Sequence, residues 1–306
     1  MNITIFGGCG FIGSHLAEAF LSEKFNVTIF DHINADRTNL LTVENEIRFQ
    51  GGDFQNKKDI AHAVAGAEIV FHLISSTLPG SSLRNPVYDI ETNIIPSVNL
   101  LEECVKAKVR KVIFLSSGGT VYGIPQHLPI TETHSLNPVS PYGLSKMAIE
   151  KYLGLYSYHY GLDYTVLRLS NPYGARQNPQ TGQGVIAAWV NQIKHNEPIE
   201  IWGDGEIVRD YVYIVDAIEA IKTAALRDSD QKIFNVGSGK GCSLNQLHRI
   251  MEEAIGQRIP IAFKGSRKVD VPTNILDVSL IKDVYAWQAK TSLKDGLQKL
   301  WLSTAY

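Results

Sequence analysis

Cysteine is scarce. Cys9, Cys104 and Cys242 are the only three in 306 residues, too few and too scattered for a disulfide framework. None forms the CxxC pair of a structural zinc site, and the odd count fits a reducing compartment. Long apolar runs are missing: nothing approaches the roughly 18 residues that span a bilayer. Met1 to Phe6 lacks the basic stretch that opens a signal peptide, so a cytoplasmic chain with no membrane partner is expected. There is no excess of positive charge either. Lys and Arg number 29 against 31 Asp and Glu, a formal net charge of −2, and no long basic run is present, which argues against a nucleic-acid polymer as partner. The nine histidines show no metal-ligand spacing, so no metal is expected. Internal repeats and low-complexity tracts are absent as well.

What is present is average for a globular chain: 44% hydrophobic and 20% charged residues, which excludes disorder. The length predicts one large domain or two smaller ones sharing a cleft. Short β-branched runs at Ile3–Phe6, Val27–Phe30, Ile47–Gln50, Ile69–Leu73, Val112–Leu115 and Thr165–Leu169 alternate with helical patterns. The longest of these patterns are Val87–Lys106 and Tyr142–Tyr158. Such alternation predicts an α/β fold, a doubly wound parallel sheet covered on both faces. After Leu169 the rhythm changes. Asn171–Gly184 has a loop composition, and the later strand candidates Ile199–Trp202, Val212–Val215, Ile233–Val236 and Ile259–Phe263 are short. A boundary is expected near residue 171, with the second part at the carboxyl ends of the first sheet's strands.

Gly7-Gly8-Cys9-Gly10-Phe11-Ile12-Gly13 links the first strand to the first helix. Gly7 permits a tight turn, Gly10 lets a pyrophosphate approach the backbone, and Gly13 lets helix and sheet pack closely. The helix start at Phe11 and Ile12 then offers free N–H groups and a positive dipole end to the phosphates. Asp31 directly follows the second strand candidate, Val27–Phe30. A carboxylate there accepts both adenosine ribose hydroxyls and repels a 2′-phosphate, so NAD is expected rather than NADP. Asp53 and Phe54 follow the third strand, where an acid meets adenine or simply shapes a turn. Leu73 and Ser75 end the fourth strand beside the cofactor path.

Tyr142 and Lys146 form a YxxxK pair at the start of a long helix, with i, i+4 spacing on one face. An ammonium beside a phenol lowers its pKa, so Tyr142 becomes a base for a sugar hydroxyl. The third partner should lie in Ser116-Ser117-Gly118-Gly119-Thr120-Val121-Tyr122-Gly123. Taken together with Asn171-Pro172-Tyr173-Gly174, Arg209-Asp210-Tyr211 and the segment 267–272, these motifs resemble the extended short-chain dehydrogenase/reductase family, in its NAD-dependent nucleotide-sugar epimerase/dehydratase branch.

The resemblance implies a Rossmann-type NAD domain over residues 1–171 and a smaller α+β domain over 172–306 that mainly binds a nucleotide-diphosphate sugar, with segments free to interleave. It implies Ser116 beside the cofactor. It also implies a homodimer built through the two long helices, whose apolar residues lie on more than one face. The family's usual catalytic Ser or Thr falls on Gly118 here. Thr120 is therefore the expected substitute, with Ser117 as the alternative, and Ser117, Gly118 and Thr120 are all placed against the sugar. Arg209 and Arg267 resemble the family's diphosphate ligands, Asn171 its substrate amide and Asp270 its ribose acceptor.

No carboxylate stands in the 118–120 segment, where the family's 4,6-dehydratases and decarboxylases carry one. Epimerisation at C4 of a UDP-hexose, through a transient 4-keto sugar, is the expected reaction. NAD(P)H-dependent reduction of a 4-keto-6-deoxy nucleotide sugar is the alternative, and a non-catalytic dinucleotide sensor is the reading from another class. Asn274 replaces the bulky Tyr of UDP-glucose-restricted forms, and the smaller residue makes room for a C2 N-acetyl group.

Overall fold

The structure, a computed structural model, describes residues 1–265 and 271–303. In chain order its strands are β1 (Asn2–Phe6), β2 (Asn26–Asp31), β3 (Arg48–Gly51), β4 (Ile69–His72), β5 (Lys111–Ser117), β6 (Asp163–Leu169), β7 (Asn171–Tyr173), β8 (Ile199–Trp202), β9 (Val208–Tyr213), β10 (Ile233–Val236), β11 (Gly241–Ser243), β12 (Ile261–Lys264) and β13 (Thr273–Asn274). Its α-helices are α1 (Phe11–Ser22), α2 (Lys57–Val64), α3 (Pro79–Ser82), α4 (Pro86–Asp89), α5 (Ile95–Lys106), α6 (Pro141–Tyr160), α7 (Val185–Lys194), α8 (Ile214–Leu226), α9 (Leu244–Ile255), α10 (Ser279–Tyr285) and α11 (Leu293–Ser303). Among the described residues no helix is long and apolar enough to cross a membrane.

Seven parallel strands form the main sheet in the order β3-β2-β1-β4-β5-β6-β10. This is the Rossmann-type doubly wound arrangement. Its central strands are apolar on both faces because both are covered. Ile3, Ile5, Ile29, Phe71 and Ile113 pack with Leu16 and Phe20 of α1 and with the alanine-rich α8. Phe6, Phe30, Val70, Val112 and Phe114 face the opposite way, against α2, α5 and α6. Each fully buried Phe or Ile of this kind stabilises the fold by about 1.5–3 kcal/mol. The winding reverses between β1 and β4, and the carboxyl ends of these two strands open the crevice where such folds bind ligands.

Beyond residue 171 the chain does not stay apart. Ile233–Val236, read from sequence as an element of the second part, pairs in parallel with β6 and completes the main sheet. The Val212–Val215 candidate is also corrected: its strand begins at Val208, and Ile214 already starts α8. Two small sheets remain. β9 pairs with β7, β11 and β13, and β8 pairs with β12. Tyr173, Trp189, Ile199, Leu247 and Met251 form their own core.

The long pattern at 87–106 is one interrupted helix rather than a regular one. Pro86–Asp89 is α-helical, Ile90–Ile94 is a wide π turn, and Ile95 resumes α geometry with Pro96 in its first turn. Helix α6 has conventional ends. Ser140 caps it, its Oγ accepting from Gly143 N–H at 3.2 Å. Pro141 opens it, and Gly161 closes it at φ 68°.

Candidate active site

The glycine loop fits a dinucleotide by exclusion of side chains. Gly7 has φ +86°, and a Cβ on it would lie 3.2 Å from the backbone nitrogen of Ile74. A Cβ on Gly13 would lie 2.3 Å from the carbonyl oxygen of Gly7 and 2.6 Å from Gly8 Cα. Gly10 meets only Gly7 O, at 3.4 Å, so its outer side is open. Helix α1 begins without a side-chain cap and without an acid in its first turn, which leaves the amides of Phe11 and Ile12 for an anion. Asp31 ends β2 half-buried, and its Oδ2 accepts from Cys9 N–H at 3.0 Å. The carboxylate thus fixes the loop, and its Oδ1 accepts from His32 N–H at 2.9 Å. Burial, reinforced by Asp31, pushes the Cys9 thiol up to about 12, so it stays protonated. Cradle, bare helix end and acid together fit NAD. Gly13→Ala should weaken NAD binding by about 10-fold or more, because the methyl group meets backbone on two sides; calorimetric titration checks this, and unchanged affinity would refute the cradle.

Leu73 packs at the glycine loop, its carbonyl carbon 3.3 Å from where a Gly7 Cβ would be. Asp53 is exposed and its Oδ1 accepts from Gln55 N–H at 2.9 Å, a turn contact. Phe54 is a core aromatic between Phe6 and His72, with ring centroids 5.9 Å and 5.3 Å away.

Tyr142 and Lys146 lie in the first turns of α6, 9% and 6% exposed. Tyr142 N–H donates to Ser82 Oγ at 3.1 Å. Lys146 Nζ donates to the carbonyl of Leu115 at 3.0 Å and lies 4.9 Å from the Phe114 ring centroid and 5.7 Å from that of Tyr142. Burial raises the phenol to about 12, against hydrogen bonds with Ser117 and Ser75 that lower it, while Asp89 raises it further. Burial lowers the Lys146 ammonium to about 8, against Asp89 and Glu150, which raise it.

The Ser116–Thr120 segment does not distribute its hydroxyls as expected. The Oγ of Ser116 donates to Glu150 and lies in a buried network, so a contact of this residue with a cofactor would come from its backbone. Ser117 holds the position beside the Tyr142 phenol. Thr120, the substitute expected from sequence, has a buried Oγ1 without a hydrogen-bond partner. Gly118 is buried, and a Cβ there would lie 2.6 Å from Leu276 Cδ1 and 3.1 Å from the carbonyl oxygen of Arg168. Asn274, only 1% exposed, donates its Nδ2 to Gly118 O at 3.0 Å. The expected gate residue is therefore tied to the 116–120 segment.

On the substrate side, Asn171 is half-buried and donates Nδ2 to the carbonyl of Asp210 at 3.0 Å. Arg209 Nη1 donates to the carbonyls of Val208 and Val271, at 2.9 Å and 2.7 Å. Arg267 and Asp270 lie outside the described residues. The loop after β7 docks on α1: Arg176 pairs with Glu18 at 2.6 Å, and His15 Nε2 meets Ala175 O at 3.1 Å.

Two features beside this site escape sequence reasoning. Arg168, on β6, forms a bidentate buried pair with Glu150, with Nη2 to Oε2 at 2.6 Å; it also donates to Tyr122 Oη at 2.9 Å. Asp89, at the end of α4, is wholly buried. An Arg in a strand and acids in helices read as solvent-facing, and no local signal pairs them.

Residues 3–237 match the family described as NAD dependent epimerase/dehydratase. The chain belongs to that family. Relatives of this epimerase/dehydratase chain span its full length. It is 34% identical to a UDP-glucose 4-epimerase of Mycolicibacterium smegmatis over 307 residues, 98% of this chain and 97% of that one. It is similar to the crystal structure of UDP-glucose 4-epimerase with UDP-glucose from Thermotoga maritima (36% identity, TM-score 0.94, 99% and 98% of the two chains). It is likewise similar to that of a Thermus thermophilus UDP-glucose 4-epimerase complexed with NAD (31% identity, TM-score 0.92, 100% of both chains).

Proposed function

We propose that the chain interconverts the C4 epimers of a UDP-hexose, such as UDP-galactose and UDP-glucose, with tightly held NAD. The observation that carries this reading is the grouping of Tyr142, Lys146 and Ser117 at the crevice, in a 116–122 segment without a carboxylate. Elimination of water needs an acid and a base at adjacent carbons, and this segment supplies neither. What the grouping does supply is proton transfer at one hydroxyl.

NAD, when bound by the glycine loop and Asp31, would supply a hydride acceptor for C4. Tyr142 takes the O4 proton and gives it back. A phenol at about 12 is mostly protonated at neutral pH, so the phenolate fraction depends on nearby positive charge. Lys146 provides that charge and an ammonium for ribose hydroxyls. Ser117 donates to O4 and holds it towards the phenol, the role expected of Thr120 from sequence. Gly7, Gly10, Gly13, Asp31, Leu73 and Ser75 hold the dinucleotide. Asn171, Arg209, Arg267 and Asp270 hold the nucleotide diphosphate, and the compact Asn274 leaves room at C2 for an N-acetyl group. The exposed apolar residues Val87, Ile90, Ile95, Leu144 and Leu155 lie along the interrupted helix and α6, which pack side by side. They support a homodimer through these two helices, working in the cytoplasm.

Incubation of the purified protein with UDP-galactose and no added cofactor should yield UDP-glucose. No conversion, with NADH-dependent consumption of a 4-keto sugar nucleotide instead, overturns the reading. Ser117→Ala should lower turnover by about 10- to 100-fold, the value of a hydrogen bond to a developing charge. Thr120→Val, which removes a buried hydroxyl that has no protein partner, is the comparison: a smaller loss than that of Ser117→Ala supports Ser117, and the reverse order would return the role to Thr120.

A further inference from the structure

We propose that Asp89 is a positioning residue that keeps Lys146 in its charged form inside the protein. The inference rests on the reading of Tyr142 and Lys146 given above. Asp89 is 0% exposed, and every hydrogen bond its carboxylate accepts comes from a neutral group. Oδ1 accepts from Thr77 Oγ1 and from Asn93 Nδ2, the latter at 3.2 Å, and Oδ2 accepts from Ser145 Oγ. Among the described residues no cation pairs with it directly. Burying a carboxylate without a counter-charge is costly. Its counter-charge is Lys146, the residue after Ser145. The two line the same internal cleft with Ser75 and Tyr142, and both are buried, so little screens one charge from the other.

The other groups facing Lys146 do not replace Asp89. Glu150, on the same helix, is already matched by the bidentate Arg168 of β6 and takes Ser116 Oγ as well. His72, on β4, is held neutral: burial, with the Lys146 charge, depresses it to about 3. Tyr142 becomes anionic only when it acts as base. Among the described residues, Asp89 is the one anion near Lys146 whose charge no arginine answers. The π turn at Ile90–Ile94 begins directly after it, and Asn93 within that turn binds it through Nδ2, so the interruption of the helix and the placement of the carboxylate occur together.

The sign follows. An anion raises the pKa of a neighbouring ammonium. Below about 8 Lys146 carries its proton, and above it the cation is lost. Neutralising Asp89 moves that crossover down, so at neutral pH the ammonium needed for ribose binding and for the phenolate is depleted. A residue that merely props up the helix would lower activity at all pH values alike.

The test is carbon NMR of the lysine Cε resonances in NAD-loaded protein carrying isotope-labelled lysine, with Lys146 assigned by its absence in Lys146→Met. In Asp89→Asn, Lys146 should titrate about one pH unit or more below its value in the parent protein, and the alkaline limb of turnover should move down with it. Asp89→Ser provides a second neutral replacement should the amide fold poorly. Asp89→Glu, which restores the charge, should return the titration towards the parent value. A folded neutral variant whose Lys146 titrates as in the parent overturns the proposal. Because this resonance is read without turnover, failure of the parent to convert UDP-galactose would sink the functional reading and leave the Asp89 result standing on its own.

Discussion

Tyr142→Phe should reduce turnover of UDP-galactose by about 100- to 10,000-fold, the range expected when a positioned acid–base group is removed, while leaving the fold and the bound cofactor in place. The change deletes one oxygen. The ring that lies 5.7 Å from Lys146 Nζ remains, as does the backbone bond from residue 142 to Ser82 Oγ. The α6 cap at Ser140 is untouched. What disappears is the only phenol in reach of both Ser117 and Ser75 among the described residues. Steady-state conversion, with circular dichroism and NAD content measured on the same sample, separates lost chemistry from lost structure. Turnover equal to that of the parent would remove Tyr142 from the reaction and with it the assignment of Lys146.

The second large effect concerns stability. Glu150→Gln should destabilise the protein by about 3–5 kcal/mol, because it leaves the Arg168 guanidinium buried without its anion. Arg168 is 2% exposed and Glu150 3%, so water cannot take over. The partnership with Glu150 holds the guanidinium firmly charged against the effect of burial. The loss spreads, since Arg168 Nη1 also donates to Tyr122 Oη and to the carbonyl of Glu132, and Tyr122 Oη donates to Asn235 Oδ1 at 2.6 Å. Replacing both partners at once with Glu150→Leu and Arg168→Met should recover much of the stability, since no unpaired charge is then left. Urea denaturation followed by fluorescence measures both. A single mutant as stable as the parent would show that water or a rearranged partner satisfies Arg168.

Much of the cofactor half was legible because its signals are local. A β-strand, three spaced glycines, a helix and an acid at the next strand end are fixed by backbone sterics and short spacing, and all stand between Met1 and Asp31. The parallel strands were legible from apolar runs that both faces of a covered sheet demand. Pairings across long separations were not. Ile233–Val236 joins Val166–Leu169 in the main sheet, and nothing near Ile233 announces a partner so far back in the chain. The hydroxyls of 116–120 were legible as a group but not as roles. Their order along the chain does not reveal that Ser116 turns to Glu150 while Ser117 turns to Tyr142. The break at 90–94 was hidden too, because apolar residues lie on more than one face of this pattern and the register shift of a π turn does not stand out among them.

Gly118 and Leu276 are sterically coupled. The space in which a serine side chain would stand is occupied by Leu276, which is wholly buried with Val121, Tyr122 and Ile130, and it is bounded by the carbonyl of Arg168. A lone change from Gly to Ser at 118 meets that wall, and a lone trimming of Leu276 leaves a cavity beneath the catalytic loop, with a typical loss of about 2–5 kcal/mol. Each single step between the two arrangements is thus disfavoured, although the double change is sterically sound. Glycine and leucine at these two positions therefore fit only as a pair, and either is exchanged without loss only together with the other.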